Sequence, residues 1–237
     1  MTHNVIGDIH GTDVWKYLVT DSLVNVFVGD FFDPYFSNIT FDVCKSNFLN
    51  IIDYKRQHPE TVLLWGNHEL HYLFYGELSE TYSRFDYRHA AEIQALIQEN
   101  ASFFNGVAYS VNNTCLVTHA GVSVYWYHRW LDKYVGQSPD MVAGQINNLW
   151  DCNYRAFLVR ENKKGGFADD GPMQSPLWIR PWTLEKYNLF EGTPYLQIFG
   201  HTPCDTIENR NGLIGVDCLR GVKMAETNAF SCYTFHY

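Results

Sequence analysis

Short apolar runs that stop at a glycine, or at a residue type that binds metals, recur along this chain. They restrict its fold more than any other feature. Val5-Ile6 leads into Gly7-Asp8-Ile9-His10-Gly11, and Val24 to Val28 leads into Gly29-Asp30-Phe31-Phe32-Asp33-Pro34. Thr61 to Trp65 ends in Gly66-Asn67-His68-Glu69, and Thr114 to Val117 runs into Thr118-His119-Ala120-Gly121. Tyr195 to Phe199 ends in Gly200-His201-Thr202-Pro203. The β-branched and aromatic content of these runs reads as buried strands. Asp8 and His10 stand two residues apart, so in extended chain they point at one spot. The glycines leave room for a sharp turn and for close approach of backbone to a ligand. α/β proteins place their sites at strand ends, where the scaffold is rigid and the loops are free.

Between the strands, Thr12 to Leu23 reads as a helix capped by Thr12 or Asp13, with Val14, Tyr17 and Leu18 inward. Phe41 to Gln57 reads as an amphipathic helix. Leu70 to Phe85 is aromatic and irregular, and Arg88 to Asn100 is helical with an apolar stripe at Ala91, Ala95 and Leu96. Ala108 to Val111 and Thr114 to Val117 form a hairpin around Asn112-Asn113. Val122 to Val135 and Ser138 to Trp150 read as helices, the second with a serine cap before Pro139. From Glu161 to Ser175 the composition shifts to Lys, Gly, Asp and Pro, which predicts a flap loop rather than a domain boundary. Strands resume after it, and Leu213 to Asp217 and Phe230 to Phe235 close the sheets. The 237 residues are expected to form one domain, 1–237, with ample core.

The net charge of -9 argues against stable nucleic-acid binding, which needs a basic face. It leaves a phosphorylated substrate open, because bound metals reverse the local charge. No apolar run approaches the roughly 20 residues of a membrane span, so no membrane association is expected. Met1-Thr2-His3-Asn4 carries no signal-like pattern. The six cysteines show no CxxC spacing and read as reduced thiols in a cytoplasmic protein.

The strand ends deliver Asp8 and His10, Asp30, Asn67 and His68, His119, and His201. Imidazole, carboxylate and one amide oxygen make a mixed nitrogen and oxygen set, which suits manganese, iron or zinc better than calcium. There are too many ligands for one tetrahedral site. A carboxylate shared by Asp30 would hold two divalent ions about 3.5–4 Å apart, an arrangement used for in-line attack at phosphorus.

Taken in order, GDIHG, GDFFD, GNHE, THAG and GHTP resemble the calcineurin-like metallophosphoesterases. Within them they look most like the phosphoprotein phosphatase branch in its compact bacterial and viral form. The resemblance spans Val5 to about Asp217. It implies a four-layer α/β sandwich of two packed β-sheets flanked by helices. It further implies that Asp8 and His10 bind a first metal, Asp30 bridges, and Asn67, His119 and His201 bind a second. Manganese is the expected ion, with iron or zinc as alternatives. His68 would protonate the leaving oxygen, with Asp33 paired to it. The activity implied is hydrolysis of phosphate monoesters, Ser/Thr protein phosphatase-like, on a phosphorylated protein or a small phosphoester. A nucleotide phosphodiesterase or dinucleoside polyphosphate hydrolase is the alternative. A scaffold that kept the fold without catalysis is a third reading, and the intact ligand set speaks against it.

The family pattern continues its second motif with Asp-Arg-Gly, whereas here Asp33 is followed by Pro34 and Tyr35. Arg180, in Trp178-Ile179-Arg180-Pro181, is the best candidate for a phosphate clamp, since a guanidinium meets phosphate bidentately. Arg84 is the weaker one. Asp217 reads as a packing or backbone-bonding residue. His3, His58, His71, His89, His128 and His236 match no motif. Tyr125, Trp126, Tyr127 and Trp130 fit a core stripe better than a wall for an aromatic substrate, and Lys163-Lys164 fits a solvated turn.

Overall fold

The computed structural model describes residues 2–77, 84–131, 137–159, 171–207, 209–219 and 233–235. In chain order the strands are β1 (His3–Ile6), β2 (Val24–Phe27), β3 (Val62–Leu63), β4 (Ala108–Val111), β5 (Cys115–Thr118), β6 (Leu196–Phe199), β7 (Asn209–Arg210), β8 (Leu213–Gly215) and β9 (Tyr233–Phe235). The helices are α1 (Phe41–Gln57), α2 (Asn67–Leu73), α3 (Ala90–Glu99), α4 (Val124–Trp130), α5 (Pro139–Cys152) and α6 (Pro181–Leu184). One sheet has the order β3-β2-β1-β9 and the other β4-β5-β6-β8-β7. Strands β1, β2 and β3 are parallel, as are β5, β6 and β8. The parallel strands therefore release their carboxyl ends together.

Alternation along the strands separates two faces. Val5 and Val26 pack with Val117, Ile198 and Ile214 in one buried cluster, so the two sheets face each other. Their neighbours Ile6, Phe27 and Leu63 point the other way, into a cluster with Phe48, Ile51 and Ile52 of α1. On the second sheet, Asn147 of α5 accepts from the backbone of Val107 and Ala108 at 2.9 and 3.0 Å. The result is the expected α/β sandwich of two sheets flanked by helices.

The longest helix runs over the range its pattern predicts. Thr40 caps it, accepting from Val43 N, and Cys44, Asn47, Phe48, Ile51 and Ile52 form its buried stripe. The hairpin forms as expected: Asn112 and Asn113 both adopt positive φ, 49° and 57°, as a two-residue turn of this kind requires. Ser138 stands at the N-cap of α5 without a side-chain cap bond.

Thr12 to Leu23 is not a helix. Only Val14–Tyr17 makes a single 3-10 turn, without a side-chain cap. Two asparagines from the strands take the backbone groups a helix would need. Asn4 Nδ2 donates to Leu18 O at 2.8 Å, and Asn25 Nδ2 donates to Thr20 O at 3.0 Å. The helix predicted from Val122 is described as Val124–Trp130, capped by Ser123. Most of the flap stretch, 160–170, lies outside the described residues, as do Lys163, Lys164 and His236. Among the described residues no helix is long and apolar enough to cross a membrane.

Phe48 ties this framework to the strand ends. It is fully buried, and its ring meets Phe31 at 5.8 Å and Phe32 at 5.0 Å, the two residues between Asp30 and Asp33. Phe48→Ala is expected to lower the unfolding free energy by about 3–5 kcal/mol, read by urea denaturation. A loss below about 1 kcal/mol would show that this ring does not anchor the loop.

Candidate metal centre

The chain after β1, β2 and β6 delivers its side chains by backbone turns that few residues tolerate. His10, Asp30, Asp33 and His201 all have positive φ, between 44° and 65°. Such conformations cost on the order of 1–3 kcal/mol each and persist only where the surroundings enforce them. Enforcement comes mainly from Glu69. Its buried carboxylate accepts from Asp30 N at 2.8 Å, Phe31 N at 2.8 Å and Gly66 N at 3.0 Å. One side chain on α2 thus fixes the ends of both β2 and β3. His10 N donates to Asp30 O at 2.6 Å, and His201 N donates to Asp8 Oδ1 at 3.0 Å. Two glycines leave room for the carboxylates: a Cβ on Gly200 would meet Asp8 Oδ1 at 2.1 Å, and one on Gly66 would meet Asp30 Oδ1 at 2.2 Å.

The turns bring Asp8, His10, Asp30, Asn67, His68, His119 and His201 into one buried cluster. Asp30 Oδ2 lies 3.5 Å from His10 Nε2, 3.7 Å from His68 Nε2 and 3.5 Å from His119 Nε2. These separations exceed hydrogen-bond length. They suit ligand atoms that each stand about 2.0–2.2 Å from a common ion. Two sets of three ligands lie close enough to hold a metal ion: His10, Asp30 and His68, and Asp30, His119 and His201. Asp30 belongs to both. Asn67 Oδ1 extends the second set, at 2.7 Å from His119 Nε2 and 3.1 Å from His201 Nδ1. Asp8 borders the first, at 3.8 Å from His10 Nε2.

The imidazoles are oriented from behind. Carbonyl oxygens of Phe32 and Val28 lie 2.9 Å from Nδ1 of His10 and His119, so each Nδ1 carries the proton and each Nε2 lone pair faces the cluster. Burial holds His10 below its usual range, against the pull of Asp8 and Asp30. Burial, then the Arg180 charge, pushes His201 well below it. Both are therefore neutral, the form that binds metals. Burial opposes ionisation of Asp30, but His119 and His68 outweigh it and hold the carboxyl below its usual range. A neutral nitrogen and carboxylate set of this kind fits a divalent transition ion.

His68 stands apart through its second partner. Its Nδ1 meets Asp33 Oδ2 at 2.5 Å, and Asp33 Oδ1 accepts a hydrogen bond from the Tyr72 hydroxyl. Burial works against a charged His68, but Asp30 and Asp33 together raise it above its usual range. Arg180 Nη1 donates to His201 O at 3.3 Å and Thr202 Oγ1 at 3.1 Å, beside the second set. The Arg84 guanidinium lies 3.6 Å from the centroid of the Tyr35 ring, whose edge meets His10 at 4.6 Å.

Three site residues were not legible from motif and spacing: Glu69 as a backbone clamp, Tyr72 as the partner of Asp33, and Asp217. Asp217 is fully buried and its carbonyl accepts from Cys204 N at 3.0 Å, in keeping with its reading as a packing or backbone-bonding residue. Its carboxyl is buried against Asp8, and burial, then the Asp8 charge, pushes it well above the carboxylate range. No spacing signals this, because Asp217 lies beyond β8 on the opposite sheet. Trp126 and Tyr127 are core residues, fully buried, while Tyr125 is half exposed.

A family model described as calcineurin-like phosphoesterase matches residues 1–225. Among solved structures, a cold-active protein-tyrosine phosphatase of a psychrophile, Shewanella sp., is 22% identical with a TM-score of 0.57, over 92% of this chain and 71% of that one. A protein serine/threonine phosphatase from Saccharomyces cerevisiae is 17% identical with a TM-score of 0.53, over 91% of this chain and 66% of that one. Both likenesses establish the shared fold. A search of the curated proteins finds no match.

The raised Asp217 gives a signed pH dependence. A carboxyl raised in the folded state holds a proton that the unfolded chain has released, so stability falls as pH climbs above the ordinary carboxylate range. Asparagine copies the protonated form at every pH. Asp217→Asn is expected to raise the melting temperature of EDTA-treated protein by roughly 2–6 °C at pH 8, and by less at pH 5. Equal melting temperatures at pH 8 would contradict the like-charge contact with Asp8.

Proposed function

Since the chain belongs to the calcineurin-like phosphoesterase family, we propose that it hydrolyses phosphate monoesters in the manner of a Ser/Thr protein phosphatase. Its substrates would be a phosphorylated protein or a small phosphoester. One ion would be held by Asp8, His10 and Asp30, and the other by Asp30, Asn67, His119 and His201. Manganese is the proposed ion, and iron or zinc would satisfy the same donors. When bound, the pair supplies Lewis acidity toward phosphoryl oxygens and an activated water at neutral pH. The observation that carries the reading is Asp30 shared between two buried sets, one with His119 and His201 and one with His10 and His68; the proposal gives the place of His68 to Asp8, 3.8 Å from His10 Nε2, and keeps His68 with Asp33 as the acid pair.

The chain's own groups do the rest. Asp33 holds His68 Nδ1, so the proton available for donation is on Nε2, the nitrogen that faces Asp30. A histidine raised toward neutrality gives that proton to the departing ester oxygen. Tyr72 keeps Asp33 from turning away. Arg180, on the His201 side, is the proposed clamp for the phosphate. Arg84 stands toward the His68 side, where its charge is felt by that imidazole. The proposal takes 1–237 as one catalytic domain working in the cytoplasm. In its support, the five cysteines among the described residues are free thiols. The break after Asp33, where Pro34 stands in place of an arginine, favours a second reading: a nucleotide phosphodiesterase or dinucleoside polyphosphate hydrolase.

Two outcomes test this. Manganese titration by calorimetry should show two equivalents per chain, and Asp30→Asn should weaken both while abolishing cleavage of an aryl phosphate. Unchanged binding would remove the bridging role. His68→Asn should slow alkyl phosphates by roughly 10²–10⁴-fold but 4-nitrophenyl phosphate by less than about tenfold, since a good leaving group needs no proton. Equal losses on both would refute the acid role, and faster cleavage of a bis-ester than of its mono-ester would select the second reading.

A further inference from the structure

Arg180, the clamp proposed above, borders a groove that the catalytic reading does not use. Its Nη1 donates to Thr202 Oγ1 at 3.1 Å, and Pro181 follows it in the chain. Thr202 and Pro181 both line a cavity of about 420 Å³ bounded by α6, the loop after β6, and β7 and β8. A phosphate held by Arg180 would therefore adjoin this groove. Helix α6 explains why the groove is open. It turns Thr183 and Leu184 inward, and Leu184 packs with Phe199 and Leu213 in a small apolar cluster. Phe199 and Leu213 also line the groove, whereas Trp182 lies outside that cluster and stays 50% exposed along the groove wall.

The charges along the groove do not cancel. Glu185 meets Arg210 at 3.7 Å, a surface pair. Asp205 lines the same groove, is exposed, and forms no ion pair among the described residues. One cavity thus offers an exposed indole and an uncompensated carboxylate. A guanidinium matches both, because it stacks on an indole face and forks onto a carboxylate. An ammonium is a point charge and does neither as well. Phosphate on the clamp and a cation in the groove describe one extended ligand, which a small ester is not.

We propose that this groove receives an arginine of a phosphoprotein substrate, with its guanidinium on the Trp182 ring and against Asp205. The inference rests on the hydrolytic reading above, with Arg180 as its clamp, and it selects a phosphorylated protein over a small phosphoester. Extended chain advances about 3.3–3.6 Å per residue, which places this arginine on the order of two or three residues from the phosphorylated one.

The test scans one arginine along a phosphoserine peptide, on either side of the phosphoserine, against the glutamine counterparts on the manganese-loaded protein. At least one arginine position should raise kcat/KM by about tenfold. Asp205→Asn should remove that gain and leave 4-nitrophenyl phosphate, which does not reach the groove, within about twofold of wild type. Trp182→Ala should remove most of the gain, and Trp182→Phe should keep part of it, since a ring face remains. Lysine at the same position should recover less than arginine does. A second readout needs no turnover: the indole N–H resonance of Trp182, assigned from Trp182→Phe, is followed in metal-free protein titrated with the unphosphorylated arginine peptide. It should shift in wild type, and it should stay in place with the glutamine peptide or in Asp205→Asn. No arginine preference at any position, or a preference that survives Asp205→Asn, overturns the groove while the hydrolytic reading stands. If neither the peptides nor 4-nitrophenyl phosphate are cleaved, the hydrolytic reading falls, and the groove then stands or falls on the indole shift.

Discussion

Five carboxylates, Asp8, Asp30, Asp33, Glu69 and Asp217, are buried together at the strand ends, and the rest of the structure is arranged to tolerate them. A buried carboxylate without compensation costs several kcal/mol. Each here has a different remedy. Glu69 is met by three backbone N–H groups, although burial and the Asp30 charge still push it up to about 7. Asp33 is met by His68 and Tyr72. Asp8 accepts the His201 N–H and faces the raised carboxyl of Asp217. Asp30 turns one oxygen toward three imidazole nitrogens, and Asp8 stands 3.8 Å from His10 Nε2, all at distances too long for hydrogen bonds. Glu69, Asp33 and Asp217 are met within the protein, whereas Asp30 and Asp8 face imidazole nitrogens across gaps wide enough for an ion.

The same constraint explains the strained backbone. An extended strand end would carry Asp30 and His201 past the cluster, so the chain turns through positive φ to bring them back. Glu69 makes that turn hold, because its two oxygens grip β2 and β3 across an apolar interior. Rigidity of this kind keeps ligands in place before an ion arrives. The apolar cluster around Phe48 supports it from below, so core packing and ligand geometry are one problem here.

The parts of this arrangement legible in the sequence were those encoded locally. Phe41 to Gln57 announces its helix through cap and stripe within one segment. The candidate ligands announce themselves because each follows its own apolar run. Thr12 to Leu23 misled for the opposite reason. Its periodicity is helical, but Asn4 and Asn25, on two other strands, claim its backbone. The roles of Glu69, Tyr72 and Asp217 depend on partners 38, 39 and 209 residues away, and no spacing rule reaches that far. Glu69 was in plain view as the last letter of GNHE, yet its work on the turn after β2 appears only once β2 and β3 are paired.

The loss of an arginine after Asp33 follows from the same geometry. Pro34 fixes φ in the chain leaving Asp33, and the Tyr35 ring lies perpendicular to His10 with centroids 4.6 Å apart. The Tyr35 face then carries the Arg84 guanidinium, so a positive charge reaches the His68 side from another loop. Asp33 itself is held from both sides, by His68 on one oxygen and the Tyr72 hydroxyl on the other. Pro34 can therefore stand where the family pattern carries an arginine while the His68–Asp33 contact stays intact.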